Sequence, residues 1–258
     1  MSADFTGERL PGTDDEFAVD MARHVAAYEW AMRQAAGKAV LDVGCGEGYG
    51  TAMLAGVAAQ AVGLDRAEAV VAASARYRAA NLQYRARDLG TLLTIEDRYD
   101  VVVSFQVIEH VLDPAGFLAG LKHCTAAGGR VLVTTPNRLM SVSENPYHLR
   151  EWTAPELLAL AQPVLPGVRV VGIHGSERVL AWERARGEQV RRILRLDPFG
   201  LRHHLPGFLV RGVFPKLARM VRRRLSAASP LEGIGPGDFH VDDGDLAHAL
   251  DLALVADL

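Results

Sequence analysis

The chain has 258 residues, of which 49% are hydrophobic and 23% charged, and its formal net charge is −3. Two cysteines are too few for a disulfide framework and no apolar run is long enough to span a membrane, which excludes disulfide-rich, transmembrane, collagen-like and disordered classes. The first sixteen residues carry five acidic side chains, which argues against a secretory signal peptide. The composition therefore predicts a globular, cytoplasmic protein with one large domain, or one domain and an appendage.

Short apolar runs alternate with helical patterns along much of the chain. A helical pattern over 17–36 comes first and precedes the first apolar run. Strands are predicted at 39–44, 61–64, 82–87, 100–105, 130–134, 168–173 and 250–255. Helices are predicted at 49–59, 67–80, 114–124 and 152–161, the last two capped by Asp113 and Thr153. This alternation predicts a parallel sheet covered by helices on both faces.

The near-neutral net charge conceals a strongly basic segment. Residues 178–225 contain 13 basic and three acidic side chains, so the rest of the chain carries a net charge of −13. Apolar residues run through this segment at near-helical spacing, which Pro198, Pro206 and Pro215 interrupt. One interpretation is a helical insertion with solvated arginines. The other is a surface that meets an acidic lipid head group, a phosphorylated substrate or a membrane interface.

The first predicted strand runs directly into a glycine-rich turn. Glycines occupy every second position from 44 to 50, which lets the backbone turn tightly and approach a ligand in front of a helix N-terminus. The spacing is Asp-x-Gly-x-Gly-x-Gly from Asp42, which differs from the Gly-x-Gly-x-x-Gly of dinucleotide-binding folds. Asp65 and Asp88 follow the next two predicted strands.

Four segments resemble, in order, the motifs of class I S-adenosylmethionine-dependent methyltransferases. They are VLDVGCGEG at 40–48, GLD at 63–65, RDL at 87–89 and YDVVVSFQVIEH at 99–110. The resemblance implies a doubly wound, Rossmann-like α/β sheet of seven strands, which is mostly parallel with an antiparallel last strand. It also implies a helical insertion before that last strand.

The same resemblance divides the chain into three parts. An N-terminal segment and helix, residues 1–37, would cover the cofactor site. Residues 38–176 and 246–258 would form the methyltransferase core. Residues 177–245 would form a basic helical insertion, which lies on the substrate side or serves as an interaction surface.

The resemblance implies S-adenosylmethionine as the cofactor. The residues expected to contact it are Asp42, Gly44, Gly46, Gly48, Asp65, Arg66, Asp88, Leu89 and Gln106. The glycines would pass under its methionine part, and Asp42 would lie below its amino group. Asp65 would accept both ribose hydroxyls and Asp88 the adenine amino group. The alternative for Asp42 and Asp65 is a structural role as caps at strand ends. For Asp88 it is a plain helix cap, because Asp-Leu-Gly is also an ordinary turn.

A second group of chemically active side chains follows the fourth and fifth predicted strands. Gln106, Glu109 and His110 lie at i, i+3 and i+4, so on a helical turn they would face one way. His148 lies in the stretch PYHLREWT, which begins about ten residues after the fifth strand. Both regions are therefore expected at the carboxyl edge of the sheet, where ligands bind in open α/β folds.

This second group resembles that of small-RNA 2′-O-methyltransferases, in which two carboxylates and two histidines hold a divalent metal. Gln106 replaces the first carboxylate here, so Glu109, His110 and His148 remain as a candidate three-ligand site for magnesium or manganese. The histidines could instead act as general bases, orient the substrate or have a purely structural role. All three interpretations are compatible with methyl transfer, because holding the two reactants in line does much of the catalysis.

Two further resemblances bear on the acceptor. Glu109-His110 also occurs in ubiquinone-biosynthesis-like methyltransferases, and Phe5–Arg9 with His24 and Tyr28 resembles the start of bacterial sugar methyltransferases. His24 and Tyr28 would either close over the cofactor or pack on the first strand.

Together these resemblances imply O-methylation of a small-molecule or glycan hydroxyl, assisted by His110 and His148. A lipid-linked or phosphorylated acceptor would suit the basic residues 178–225, which could also contact a membrane peripherally. An RNA 2′-O-methyltransferase is the alternative, but the sequence lacks an RNA-binding module and has few aromatic residues in its basic segment. A non-catalytic, cofactor-binding partner subunit is disfavoured by the presence of Glu109, His110 and His148.

Overall fold

The computed structural model describes residues 17–141, 145, 147–194 and 233–258. Within them the strands are β1 (Ala39–Val43), β2 (Gln60–Asp65), β3 (Leu82–Ala86), β4 (Tyr99–Phe105), β5 (Thr125–Pro136), β6 (Arg169–Gly175), β7 (Phe239–Asp242) and β8 (Asp251–Asp257). The α-helices are α1 (Ala18–Ala35), α2 (Tyr49–Ala55), α3 (Ala67–Arg76), α4 (Pro114–Cys124), α5 (Ala154–Ala161) and α6 (Glu177–Leu194).

All eight strands form a single sheet in the order β3-β2-β1-β4-β5-β8-β6-β7. Strands β1 to β5 are parallel, whereas β8 runs antiparallel between β5 and β6. The Rossmann-like class and the antiparallel last strand are thus confirmed. Strand order reverses between β1 and β4, and the crevice at such a reversal is where α/β sheets bind ligands.

The sheet has one strand more than the seven predicted. The additional strand is β7, which lies within 177–245, the stretch predicted as a helical insertion, and pairs with the edge of β6. It has four residues, FHVD, of which two are polar. Such a segment carries too little apolar pattern to be distinguished from a loop, because its stability as a strand comes from the partner strand.

Alternate residues of the central strands supply two separate hydrophobic cores. Val101 and Val103 of β4 face the core that is shared with α1, α2 and α6, whereas Val102 faces the core shared with α4 and α5. This two-sided burial explains why β1 and β4 read as continuous apolar runs in the sequence. Helix α1 contributes several fully buried alanines and is an integral part of the first core.

Several helix boundaries differ from those predicted. Helix α4 spans 114–124 as predicted, and the Asp113 carboxylate accepts the backbone N–H of Gly116 at its start. Helices α2 and α3 end four residues earlier than predicted, at Ala55 and Arg76. Helix α5 begins only at Ala154, because Trp152 pairs with Asn137, the residue after β5, in an isolated bridge.

The two ends of the predicted basic insertion, residues 177–194 and 233–245, lie within the described residues. Its first part forms α6, whose Val179 and Trp182 are buried in the first core. Residues 195–232, which carry most of the basic segment and of the proposed membrane contact over 178–225, lie outside the described part, as do residues 1–16. Among the helices that the structure describes, none combines the length and apolar character required to cross a membrane.

Candidate active site

The glycine-rich turn follows β1 and leads into α2 at the carboxyl edge of the sheet. Gly44, Gly46 and Gly48 all have φ between +52° and +82°, a region that side-chain-bearing residues rarely adopt. A Cβ atom on Gly48 would lie 2.5 Å from the Cβ of Ala73, whereas one on Gly46 would meet nothing within 4 Å. The turn is therefore packed tightly on its inner side and open at Gly46, as a ligand cradle requires.

Asp65 at the end of β2 is joined to this turn. Its Oδ2 accepts the backbone N–H of Gly46 at 2.8 Å, and its Oδ1 accepts the N–H of Arg66 at 2.7 Å. The side chain is partly exposed, and an ionised carboxylate has about four acceptor positions, so two remain for a ligand. Arg66 itself is exposed and precedes α3.

Asp42 lies beneath the turn and has no exposed surface. It accepts hydrogen bonds from the Thr51 hydroxyl at 2.6 Å and from the Tyr28 hydroxyl at 3.2 Å. Burial raises the pKa of Asp42 to about 7, although both hydroxyls act to lower it. In this structure Asp42 supports the turn from below, and a contact with the cofactor amino group remains a prediction.

Replacing Asp42 with asparagine should change how stability depends on pH. Because the folded pKa lies above the ordinary value of 3.8, the folded state binds more protons than the unfolded chain between about pH 4 and about pH 7. The wild-type chain therefore loses stability, by up to about 4 kcal/mol, as the pH rises through this window, and asparagine removes that loss. In urea unfolding from about pH 5 to about pH 7.5, the free energy of unfolding of D42N should rise relative to that of the wild type. A constant difference would contradict the raised pKa, and D97N serves as the control at a surface carboxylate.

Tyr28 and His24 pack against the first strand and the glycine-rich turn. Tyr28 is 2% exposed, and its ring lies 4.9 Å from that of Phe105 in an edge-on arrangement. His24 forms a hydrogen bond with the Tyr49 hydroxyl at the start of α2. Burial and the neighbouring Arg23 lower the pKa of His24 to about 4, so this histidine is neutral near pH 7. Both side chains thus support the turn from the α1 side.

Asp88 caps a short 3-10 turn after β3. Its carboxylate accepts the N–H of Gly90 at 2.8 Å, and the turn continues from Leu89 to Thr94. Asp88 is exposed and Leu89 half-buried. The structure thus shows the capping role that was the alternative for Asp88, and its contact with adenine remains a prediction. Tyr84 of β3, which the sequence did not single out, donates its hydroxyl proton to the Gly48 carbonyl at 2.6 Å.

Gln106 does not share a helical turn with Glu109 and His110 as predicted. It has a positive φ of 58°, and the 3-10 turn begins only at Ile108. The Gln106 side chain acts to lower the pKa of Asp251, a buried carboxyl group at the start of β8 that also forms an ion pair with Arg23. The predicted common face is lost because the backbone at Gln106 lies outside the 3-10 turn that carries Glu109 and His110.

Glu109 lies at the base of the second group and is 1% exposed. Burial raises the pKa of its carboxyl to about 7, although His148 acts to lower it. One carboxylate oxygen accepts the Thr135 hydroxyl at 3.1 Å. Its backbone carbonyl accepts the N–H of Leu149 at 2.8 Å, which joins the loop after β5 to the 3-10 turn.

Hydrogen bonds place a proton on Nδ1 of both histidines, and in His148 they also place a lone pair on Nε2. His110 Nδ1 lies 2.9 Å from the Tyr147 carbonyl, which can only accept, so Nδ1 carries the proton. His148 Nδ1 lies 2.5 Å from the Glu151 carboxylate and carries the proton for the same reason. His148 Nε2 lies 2.8 Å from Asn145 Nδ2, and this amide is oriented because its Oδ1 accepts the Tyr147 N–H.

Glu109, His110 and His148 meet at one point on the carboxyl edge. The two imidazole rings lie 5.0 Å apart at 74°. Potential ligand atoms of all three residues lie within 4.8 Å of one another, and no other such group of three occurs among the described residues. A carboxyl group and two imidazoles in this arrangement can accept a proton from an acceptor hydroxyl or bind a divalent metal.

Comparison with known proteins assigns the family. A family model described as a methyltransferase domain matches residues 19–164, more than half of the chain. The chain belongs to this family. The methyltransferase domain is 40% identical over 163 residues to a probable S-adenosylmethionine-dependent methyltransferase of Mycolicibacterium smegmatis, across 61% of this chain and 63% of the relative. A similarly described Mycobacterium tuberculosis protein is 37% identical over 161 residues, across 60% and 58%. The chain thus spans about three fifths of the length of these relatives.

More distant similarities agree with this assignment. A ubiquinone biosynthesis O-methyltransferase of Ruegeria is 32% identical over 106 residues, which are 40% of this chain and 43% of the relative. Methyltransferase structures from Thermotoga maritima and Mesorhizobium loti superpose with TM-scores of 0.58 and 0.54. They share 12% and 14% identity, each covers 93% of this chain, and 91% and 100% of the two solved chains are matched. At this identity they show the fold alone.

The residues at the glycine-rich turn fit S-adenosylmethionine, the methyl donor of this methyltransferase domain. Open space beside Gly46 lies directly next to the Asp65 carboxylate, whose remaining acceptor positions suit a pair of ribose hydroxyls. The cradle precedes α2 at the switch point of the sheet, where such ligands bind. The open turn and the acceptor positions of Asp65 fit S-adenosylmethionine whatever the methyl acceptor is.

The donor set of the second group also fits a divalent metal. Each histidine donates its Nδ1 proton to a carbonyl or a carboxylate, which is the usual surrounding of a metal-bound imidazole. Two nitrogen donors favour manganese over magnesium, which prefers oxygen ligands. A metal at His148 Nε2 would have to replace Asn145 there.

Proposed function

We propose that the methyltransferase domain transfers a methyl group to a hydroxyl oxygen of a small molecule or glycan, assisted by His110 and His148. The observation that carries this proposal is the convergence of Glu109, His110 and His148 at the carboxyl edge of the sheet, with both imidazoles held by hydrogen bonds at Nδ1. S-adenosylmethionine supplies an activated methyl carbon when bound. The acceptor oxygen forms the new bond to that carbon, the carbon–sulfur bond breaks, and the hydroxyl proton must go to a base.

The two histidines suit that base in position. An imidazole with a lone pair on one ring nitrogen accepts the hydroxyl proton as the new carbon–oxygen bond forms. In His148 this requires Asn145 to release Nε2, whose lone pair it now engages. Glu109 lies beside them, with its Oε1 4.0 Å from His110 Nε2, and would stabilise the imidazolium that forms. The ubiquinone biosynthesis relatives are named O-methyltransferases, which supports oxygen as the acceptor atom.

A second candidate function is 2′-O-methylation of RNA with a divalent metal. It is supported by the close approach of Glu109, His110 and His148, whose ligand atoms lie within 4.8 Å of one another. These three residues would hold the metal, which would supply positive charge next to the acceptor hydroxyl and lower its pKa. Water and vicinal ribose hydroxyls would complete its coordination.

One assay separates the two candidates. The purified chain is incubated with radiolabelled S-adenosylmethionine and, in separate reactions, with phenols, oligosaccharides and short RNAs, each with and without excess chelator. We expect label on a phenol or oligosaccharide and no loss of activity in chelator. Label on RNA alone, abolished by chelator, would overturn the first candidate and support the second.

A further inference from the structure

The loop that carries His148 is closed at its base by buried contacts. Asn137 at its start donates from Nδ2 to the carbonyls of Leu246 and Ala249, at 2.9 and 2.7 Å. Asn137 also pairs with Trp152 at the end of the loop, and the next residue donates its N–H to the Trp152 carbonyl at 3.0 Å. The loop therefore begins and ends at one anchored point.

Glu151 links the two sides of this loop. One carboxylate oxygen accepts His148 Nδ1 at 2.5 Å, and the other accepts the hydroxyl of Ser141. The Glu151 side chain is 12% exposed and that of His148 is 15% exposed, so both groups are largely shielded from water. The contact fixes the ring plane of His148 and determines which nitrogen is protonated.

We propose that Glu151 is a positioning residue that holds His148 with its proton on Nδ1 and its lone pair on Nε2, and that Ser141 holds Glu151. The carboxylate acts through the imidazole, as the third member of a nucleophile–base–carboxylate arrangement does. The catalytic consequence rests on the proposed function, because it requires His148 to act on an acceptor. The orientation of the His148 ring does not depend on the proposed function, and this orientation can be measured on the protein without an acceptor.

Proton NMR of the full chain provides the test. A ring proton held between an imidazole and a carboxylate at 2.5 Å resonates far downfield of the amide protons. We expect one such signal that disappears in H148Q and E151A, moves upfield in E151Q and in S141A, and stays unchanged in E96A, the control at an exposed glutamate. A wild-type spectrum without this signal, or its persistence in E151A, would overturn the proposal. If E151A does not fold, the upfield shift in E151Q decides.

Kinetics then separates positioning from a merely structural role. With the acceptor that the assay above labels best, E151A should lower kcat roughly 10²-fold while the KM for S-adenosylmethionine stays within about twofold. E151Q should retain part of the rate because its amide oxygen still accepts from Nδ1. Equal kcat values for E151A and the wild type would overturn the catalytic part. If no acceptor is labelled at all, the proposed function fails, whereas the NMR signal still decides the role of Glu151.

Discussion

Replacing Asp65 with alanine is expected to weaken the binding of S-adenosylmethionine by about 10²-fold or more. The carboxylate would accept hydrogen bonds from two ribose hydroxyls, and bonds to a charged group contribute about 1.5–3 kcal/mol each. It also accepts the Gly46 N–H, so its loss would loosen the turn that forms the cradle. Isothermal titration calorimetry of the cofactor, with thermal unfolding in parallel, measures both effects.

The matched control for this change is Asp97→Ala. Asp97 is also an aspartate, but its side chain is 58% exposed and forms a surface ion pair with Arg85. Such a pair contributes little to stability, so D97A should bind the cofactor like the wild type. The variant D65N should lie between, because an amide keeps one acceptor oxygen and loses the charge. A D65A protein whose affinity stays within about threefold of the wild type would contradict the location of the cofactor site.

Replacing His148 with glutamine is expected to lower kcat by about 10²–10⁴-fold, the usual contribution of a general base. The cofactor should bind with unchanged affinity, because the hydrogen bonds of the His148 ring are to Asn145 and Glu151, within its own loop. Single-turnover rates with the acceptor identified by labelling, together with calorimetry of the cofactor, measure the two quantities separately. A loss that excess manganese restores would instead favour the metal-binding candidate.

The control for His148 is His248→Gln. His248 has the same type of partner, with its Nδ1 2.7 Å from the carboxylate of Asp245, but its side chain is 76% exposed. The His248–Asp245 pair therefore has the same imidazole–carboxylate contact as His148–Glu151, but it lies at the exposed surface. H248Q should keep full activity. If H148Q also keeps it, the histidine has a structural role and the proposed mechanism is wrong.

Local patterns made the central part of the fold predictable. Strands β1 and β4 are buried on both faces, so nearly all their residues are apolar and the signal is strong. Asp113 followed by proline marks the start of α4 by cap chemistry that involves only neighbouring residues. Short edge strands such as β7 lack such a continuous apolar pattern, because half of their residues face solvent.

The candidate site was predictable in its residue types and less so in its geometry. Spacing brings Glu109 and His110 to the end of β4, and the loop after β5 brings His148 to the same edge. The positive φ of Gln106, which takes it out of the 3-10 turn, was not predictable, because residues other than glycine rarely adopt it. The roles of Ser141 and Glu151 were likewise hidden, because hydrogen bonds of this kind have no periodic signature.

The sequence by itself determined the sheet class, the glycine-rich turn, the acidic residues that follow β2 and β3, and the methyltransferase family. These features are carried by contiguous residues whose spacing reflects backbone geometry. Only the tertiary structure decided that Asp42 is buried beneath the turn, that Gln106 faces β8, and that Glu151 holds His148. Each of these outcomes depends on the desolvation of a polar group and on the partner that happens to lie opposite it, and both arise only when distant segments pack together.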